Sequence, residues 1–503
     1  MDTGENSSYL RLWFEPSYKK VGYYQTSESF CQNGFKWAPY NKGGKPQRRW
    51  YGKNSNVVLW EKDGEALRAS TANLRSQYLY FKNAITWNAL ATTTTTARYS
   101  DYGALFDSAG SSMFPSAQDM KYILGFMNSK CVANLLYILN PSMNFGAGTV
   151  GSLPIIQDPS SRIDELVEDN IKIAKEDWGN AEENVDFTEN PLVRIFKNKS
   201  NIRLGSVVEE YITIWQKNIE KLKSNEEELN RMFISIYGLQ DELTPDVPLN
   251  EVTILQQKEI NIDNGQLKWN KDVILKQLIS YAIGCMMGRY RLDHPGLHIA
   301  HPDATDAEKV DYLYNGDLFS IDDDGIIPLL PRDCPFNDNV IIRLENFVSQ
   351  VFGEDNFKDN WNYITSILGD AEGYLTKPTG FWKDHKAMYQ NTPIYWLFSS
   401  KKGAFKCLVY MHRMNQFTAR EVREKYLLKY IEFLRNMIKP LETEEASLGR
   451  ADKKRLESYK KALEDCEEYD LRLHEVAQKF IAFDLDDGVK VNYAKFGDVL
   501  AKI

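Results

Sequence analysis

Hydrophobic positions along this chain change their period several times, and each change predicts an element. Up to about residue 155, short aromatic and β-branched runs (Leu10–Phe14, Val57–Trp60, Tyr78–Phe81) are separated by Gly, Asn and Pro, which predicts short strands in a mixed α/β region. The Thr92–Thr96 run has β-propensity but no apolar face, so it reads as a loop or edge segment. From Ala117 to Ile138, Leu124, Met127, Cys131, Leu135 and Ile138 recur at helical spacing, and Asn140-Pro141 stops the helix.

Asp158–Glu189 holds 11 acidic and 3 basic residues, with partial helical periodicity at Ile163, Leu166, Ile171 and Ile173, and reads as a solvated helix and linker. Val207–Tyr237 predicts a long amphipathic helix and Leu275–Arg291 an apolar one. Phe319–Leu330 is strand-like around three Asp, and Val340–Phe352 and Phe357–Leu375 return to helix. In Pro393–Met411, Ile394, Trp396 and Phe398 alternate, Ser399–Gly403 turns and Phe405–Met411 returns, which predicts a hairpin. Ala419–Met437 and Thr443–Phe480 are helical. The expected fold is therefore α+β. A mixed α/β domain covers 1–156, and an acidic linker and long helices cover 157–265. An α-rich domain with a β-hairpin near 393–411 covers 266–440, and a helical hairpin or short coiled-coil arm with a tail covers 441–503.

Composition narrows the class. The 503 residues are 43% hydrophobic and 26% charged, as in ordinary globular proteins. The longest apolar stretches, around Val132–Leu139 and Leu278–Met287, fall short of the roughly 20 residues a membrane span needs. The N-terminus lacks the layout of a signal peptide. Six scattered cysteines form no CxxC pair, which argues against a zinc knuckle or a disulfide framework and fits reduced thiols in a cytoplasm.

Catalytic motifs are sparse. The sequence has no GxxxxGK[ST], no GxGxxG after a strand, no HExxH and no GxSxG. The nearest approach to the (Asn/Asp)-Pro-Pro-(Tyr/Phe) loop of adenine methyltransferases is Asn140-Pro141-Ser142-Met143, which lacks the second Pro and the aromatic and reads as a helix stop. His294, His298 and His301 have helical spacing, but Pro295, Gly296 and Pro302 break it, leaving a His-bearing loop rather than metal ligands. Asp322, Asp323 and Asp324 lack the offsets of an EF-hand and read as a charged turn.

The strongest local feature is electrostatic. Net charge is −9, yet Ser29–Trp60 contains no Asp or Glu and carries Lys36, Lys42, Lys45, Arg48, Arg49 and Lys53, interleaved with Phe35, Trp37, Tyr40, Trp50 and Tyr51. Lys and Arg in such a loop would neutralise phosphates, Arg48 and Arg49 can reach a guanine edge, and Trp50 and Tyr51 can stack or anchor. The competing reading is a solvated turn whose aromatics belong to the core. Arg98-Tyr99, after the Thr run, is a second candidate contact, whereas Arg289-Tyr290-Arg291 suits a helix C-terminus.

Several segments together resemble a known family. Thr3-Gly4-Glu5-Asn6 with Tyr9–Trp13, Lys36–Gly44, Arg49–Gly52, Ile85-Thr86-Trp87, Ala97-Arg98-Tyr99, Leu124–Lys130 and Leu153-Pro154-Ile155 resemble target-recognition domains of type I specificity subunits and type IIG enzymes. Ser280–Tyr290, Asp322–Leu329, Pro393–Ser400, Tyr410–Arg413 and Asp484–Tyr493 look like PglX, the adenine-specific DNA methyltransferase family of BREX phage-defence systems.

The resemblance spans nearly the whole chain but only the C-terminal half of that family. It implies a DNA target-recognition domain at 1–156, double-stranded DNA as partner, and contacts through Lys36, Lys42, Lys45, Arg48, Arg49, Trp50, Tyr51, Lys53, Arg98 and Tyr99. No catalytic motif can be carried onto this sequence. It is therefore expected to be a recognition half that binds DNA without methylating it alone, with S-adenosylmethionine belonging to the methyltransferase half. The other reading is an interaction module that docks the methyltransferase domain, other BREX proteins or a phage DNA-mimic inhibitor. Salt dependence separates the two.

Overall fold

The computed structural model describes residues 1–503 apart from 45–46, 53–54, 90–95, 142–143, 159–160, 200–201, 256–257 and 445–447. The fold is α+β, and the chain divides into two compact units, Met1–Phe187 with Glu209–Val273, and Thr188–Val208 with Ile274–Ile503.

Among the described residues, the stretch Met1–Phe187 of the first unit carries eight short strands: β1 (Leu10–Leu12), β2 (Trp37–Asn41), β3 (Trp50–Tyr51), β4 (Asn56–Leu59), β5 (Ala84–Asn88), β6 (Arg98–Ser100), β7 (Leu105–Phe106) and β8 (Gly110–Met113). They form two four-stranded sheets, β1-β4-β2-β7 and β3-β6-β5-β8. Pairing is antiparallel except for β2 with β7 and β3 with β6. Asn41 Nδ2 donates to Ser100 Oγ at 2.9 Å, tying the sheets together. The core beside the first sheet gathers Phe30, Tyr40, Val58, Trp60, Phe81 and Leu105.

Two expectations change here. Tyr78–Phe81 is not a strand: Tyr78 and Leu79 lie in a 3-10 turn, Gln77–Leu79, and Phe81 turns the chain again at φ +63°. The helix expected over 117–138 is two helices, Met120–Met127 and Lys130–Leu139, bent by 67°. Ser129 caps the second by accepting from Val132 N, and the Asn128 side chain leaves the helix to pair with both backbone groups of Ala97 at 2.9 and 3.0 Å. The bend turns Leu136 inward and leaves Tyr137, Ile138 and Leu139 exposed.

The segment expected as a solvated linker is a packed helix, Ser161–Gly179. It buries Ile163, Leu166, Val167, Ile173, Ala174 and Trp178. Its outward acids meet cations, including Glu168 with Lys121 at 2.5 Å and Asp169 with Lys221 at 2.7 Å. From Glu209 onward the long helix Leu204–Ile236 belongs to this unit, and its Asn225 Nδ2 donates to Asn170 Oδ1 at 2.9 Å inside the core. A hairpin of β9 (Ile260–Asp263) and β10 (Gln266–Trp269) turns at Asn264-Gly265, both at positive φ.

The second unit is mainly helical, around the buried helix Lys271–Met286. Strands β11 (Tyr312–Tyr314) and β12 (Asp317–Phe319) pair as a small hairpin, and β13 (Ile326–Pro328), β14 (Tyr395–Ser399) and β15 (Lys406–Tyr410) form a sheet in the order β13-β15-β14. The hairpin expected near 393–411 is present, but Tyr395 and Leu397 are buried as well as Trp396 and Phe398, so both its faces are covered. Its turn is held by Asp465, which accepts from Ser400 Oγ at 2.5 Å, Lys402 N at 2.9 Å and Ala404 N at 3.1 Å. Asp465 lies on the helix Arg450–Ala477, which runs antiparallel to Leu428–Thr443, with Lys460–Glu442 at 2.8 Å and Arg423–Asp470 at 2.6 Å marking the register.

Candidate nucleic-acid interface

The acid-free segment Ser29–Trp60 does not fold as one solvent-facing basic loop. Its arginines turn inward. Arg48, at 4% exposure, sets Nη2 2.5 Å from Asp177 Oδ2 on the acidic helix, and its guanidinium lies 5.2 Å from the Trp178 ring centre. Arg49, at 6% exposure, pairs Nη1 with Glu226 Oε2 at 3.1 Å, and the other oxygen of Glu226 accepts from Trp50 Nε1 at 2.6 Å. Tyr51 donates its hydroxyl to Asp186 at 2.7 Å. Arg98 is buried beside them, where β6 runs parallel to β3 in the register Trp50↔Arg98 and Tyr51↔Tyr99.

These side chains form a buried ionic seam, so the structure places Arg48, Arg49, Trp50, Tyr51 and Arg98, expected as DNA contacts, inside the first unit. A buried charge needs a partner within hydrogen-bond reach, and the acidic helix and Glu226 provide it. Burial pushes the Glu226 carboxyl up, with Arg49 and Trp50 opposing, and lowers Arg98 to about 10, with Arg48 adding repulsion. Trp50 sits at φ +70°, a left-handed conformation costly for a bulky residue, stabilised by its complete burial and its bond to Glu226.

The other expected contacts fare differently. Lys36, Lys42 and Tyr99 are half-buried, and Lys45 and Lys53 lie outside the described residues. The turn after β2 is pinned: a Cβ on Gly43 would come within 2.3 Å of the Ala109 backbone, and Gly44 N donates to Asn88 Oδ1 at 3.2 Å. Only glycine lets these backbones approach so closely.

Beside Lys36 lies a surface outside the acid-free segment. Lys36 N donates to Lys20 O at 2.9 Å and Gly22 N to Trp37 O at 2.9 Å, so Tyr18–Tyr24 runs alongside the start of β2. Tyr18, Lys19 and Lys20 are exposed on this segment. Tyr24 and Tyr102, 43% and 45% exposed, meet edge to face at 6.1 Å across a shallow crevice whose wall includes Pro39, Asn41 and Asp101. The signal was present as Tyr-Lys-Lys and Tyr-Tyr in the sequence, but Glu15 and Glu28 flank that segment and mask its charge.

The remaining candidates have partners within the protein. His298 bonds through Nε2 to Glu308 O at 2.7 Å and His301 to Glu308 Oε1 at 2.8 Å. Asp322 pairs with Arg343 at 2.9 Å and accepts from Gly325 N and Ile326 N. Among the described residues no group of three His, Cys, Asp or Glu is placed to hold a metal ion. Asn140 donates its amide to Asn144 O at 2.8 Å in closing the helix end. Arg289 is fully buried, donating to the hydroxyls of Tyr290 at 3.1 Å and Tyr410 at 3.0 Å. Among the described residues no single helix is long and apolar enough to cross a membrane.

No family model matches the sequence. Against curated proteins, the chain is 34% identical over its whole length to an adenine-specific methyltransferase BrxX of Escherichia coli O9:H4 (strain HS), of which it covers 42%. It is 36% identical over 98% of its length to an adenine-specific methyltransferase PglX of Lacticaseibacillus casei (strain Zhang), of which it covers 41%. The chain is a partial PglX-type protein. It spans about two fifths of the length of these PglX-type relatives, so its ionic seam and its lysine–tyrosine surface both fall within a region they share.

Proposed function

We propose that the first unit is the DNA target-recognition portion of a BREX PglX-type, site-specific adenine-N6 DNA methyltransferase acting in the cytoplasm. The observation that carries this reading is the exposed strip of Tyr18, Lys19, Lys20, Tyr24 and Tyr102 beside Lys36, on a unit that draws Arg48, Arg49 and Arg98 inward. Lysines presented by a turn braced against β2 act as point charges toward phosphates and release counterions. Exposed tyrosine rings give a flat, amphipathic surface for sugars and bases.

In this reading Lys19, Lys20, Lys36 and Lys42 set the register on the duplex. Arg48, Arg49, Trp50, Tyr51 and Arg98 act as positioning residues by fixing β3 and β6, whose sheet is tied to β2 through Asn41 and Ser100. Adenine flipping and methyl transfer from S-adenosylmethionine are assigned to the part of the PglX family that this chain does not span. The residues here do not fit that chemistry, since the nearest motif lacks its second Pro and aromatic and its Asn140 amide is engaged locally.

The test is fluorescence anisotropy of the full chain with duplex DNA at several salt concentrations, comparing wild type with a Lys19→Ala, Lys20→Ala, Lys36→Ala variant. Removing a lysine that neutralises one phosphate should reduce the slope of log affinity against log salt by about 0.9. An unchanged slope in the variant would move the DNA-binding surface elsewhere.

A further inference from the structure

The second unit carries an exposed apolar pair on a small hairpin. In the β11–β12 hairpin, Leu313 and Leu318 are direct cross-strand partners, and they stand 69% and 56% exposed. The neighbouring pair, Tyr312 and Phe319, faces the other way and is buried, with ring centres 5.3 Å apart and Phe319 packed edge-on against Phe347 at 6.3 Å. A hairpin buried on one face alternates apolar-in with polar-out. Here the outward pair is leucine, so apolar area is kept in water on a well-anchored support. Gln350 Nε2 donates to Leu318 O at 3.0 Å, and Ser320 Oγ donates to Asp311 at 2.9 Å.

Leu318 also borders a groove of about 300 Å³ whose floor is Phe319 and Phe347 and whose rim includes Asn337, Asp338 and Asn346. The exposed leucines therefore continue into a concave site with an apolar base and polar edge, the form taken by helix-in-groove and strand-addition sites.

The charge around this surface selects the occupant. Between Asp303 and Asp324 the chain has eight acidic residues and one basic, Lys309. Asp322, Asp323 and Asp324 are answered from elsewhere, by Arg343, Arg413 and Lys425. Asp317 stands exposed on the hairpin itself, and Asp303 and Asp306 are exposed in the segment that precedes it, Asp306 lying 3.7 Å from Lys309. A second copy would bring this acidic rim against itself, and duplex DNA or an anionic membrane would be repelled. We propose that the leucine face of β11–β12 and the groove beside it are a docking site for a cationic, amphipathic segment of a partner protein, whose apolar residues cover Leu313 and Leu318 while its lysines or arginines meet the acidic rim. This site is separate from the lysine–tyrosine surface and does not depend on the DNA reading.

The experiment uses the full chain and labelled synthetic peptides followed by anisotropy. One peptide alternates Leu and Lys in an amphipathic pattern, a second replaces Lys by Glu, and a third replaces Leu by Ser. The Leu/Lys peptide should bind, and the other two should not. Binding should weaken by about tenfold or more in a Leu313→Ser, Leu318→Ser variant and also in Asp317→Lys. Because these positions are exposed, the variants should keep the wild-type melting temperature. Failure of the Leu/Lys peptide to bind, equal binding of the Glu peptide, or equal binding to the leucine variant would each overturn the proposal. So would a concentration-dependent dimer abolished by the leucine variant, which would make the occupant a second copy.

Discussion

Two buried arginines in this molecule are stabilised by different means. Arg49 in the first unit meets a carboxylate, Glu226, contributed by a helix 177 residues away in sequence. Arg289 in the second unit sits among phenol rings and donates to the hydroxyls of Tyr290 and Tyr410. His385 lies beside the same rings, stacked on Tyr395 at 4.6 Å, and burial together with Arg289 holds it neutral, at about 3. The first arrangement draws charge inward and matches it. The second admits a cation by surrounding it with orientable dipoles, and excludes any other cation nearby. The difference teaches where each unit is vulnerable: the first to losing one partner, the second to gaining one proton.

The largest effect should come from breaking the match. Glu226→Ala leaves Arg49 and the Trp50 N–H buried without their acceptor, and should destabilise the first unit by about 3–5 kcal/mol. Urea unfolding followed by tryptophan fluorescence measures this, and Glu226→Gln should recover part of it through Trp50. In the second unit, Asp465→Ala removes the acceptor shared by Ser400, Lys402 and Ala404, and should cost about 2–4 kcal/mol by the same measurement.

Acid should sharpen the contrast further. His385 has a folded pKa below its unfolded value, so its contribution is complete above the usual histidine range and is lost as pH falls. The loss should reach about 2 kcal/mol by about pH 5, and His385→Phe should flatten that part of the stability profile. Glu226 has the opposite sign. Its carboxyl is pushed up, so its contribution is greatest in acid and declines as pH rises through its folded value. The smallest stability effect belongs to the exposed strip, where Lys20→Ala should change unfolding by no more than about 0.5 kcal/mol while weakening DNA binding measurably.

Much of the fold was legible because its signals are local. Val340–Phe352 is a helix over the residues its periodicity indicates, the 393–411 hairpin turns where Ser399–Gly403 says it should, and the long helix is where the amphipathic pattern runs. The break at Asn128-Ser129 was not legible, because a side chain that leaves its helix for Ala97 does so only once β6 is in place. The surroundings of the candidate site were not legible for a related reason. The acid-free stretch and the acid-rich stretch were each visible, one read as a DNA loop and the other as a linker. Nothing in the sequence says that they are each other's partners, since Arg48 and Asp177 meet only in three dimensions. The lysine–tyrosine strip was overlooked because its charge is diluted by nearby glutamates that lie close in sequence.

The division of the chain also bears on how the protein is made. Each unit is built from two separated stretches, so the polypeptide passes from the first to the second at Thr188, returns at Glu209 and leaves again after Val273. During synthesis the strands of the first unit emerge well before Glu226, and until then Arg49 and Trp50 have no carboxylate to close on. The piece Thr188–Val208 must in turn wait for everything after Ile274. The order in which the ribosome releases the chain therefore differs from the order in which its units can be completed, and a nascent chain stalled before residue 226 would hold its most basic segment unclosed.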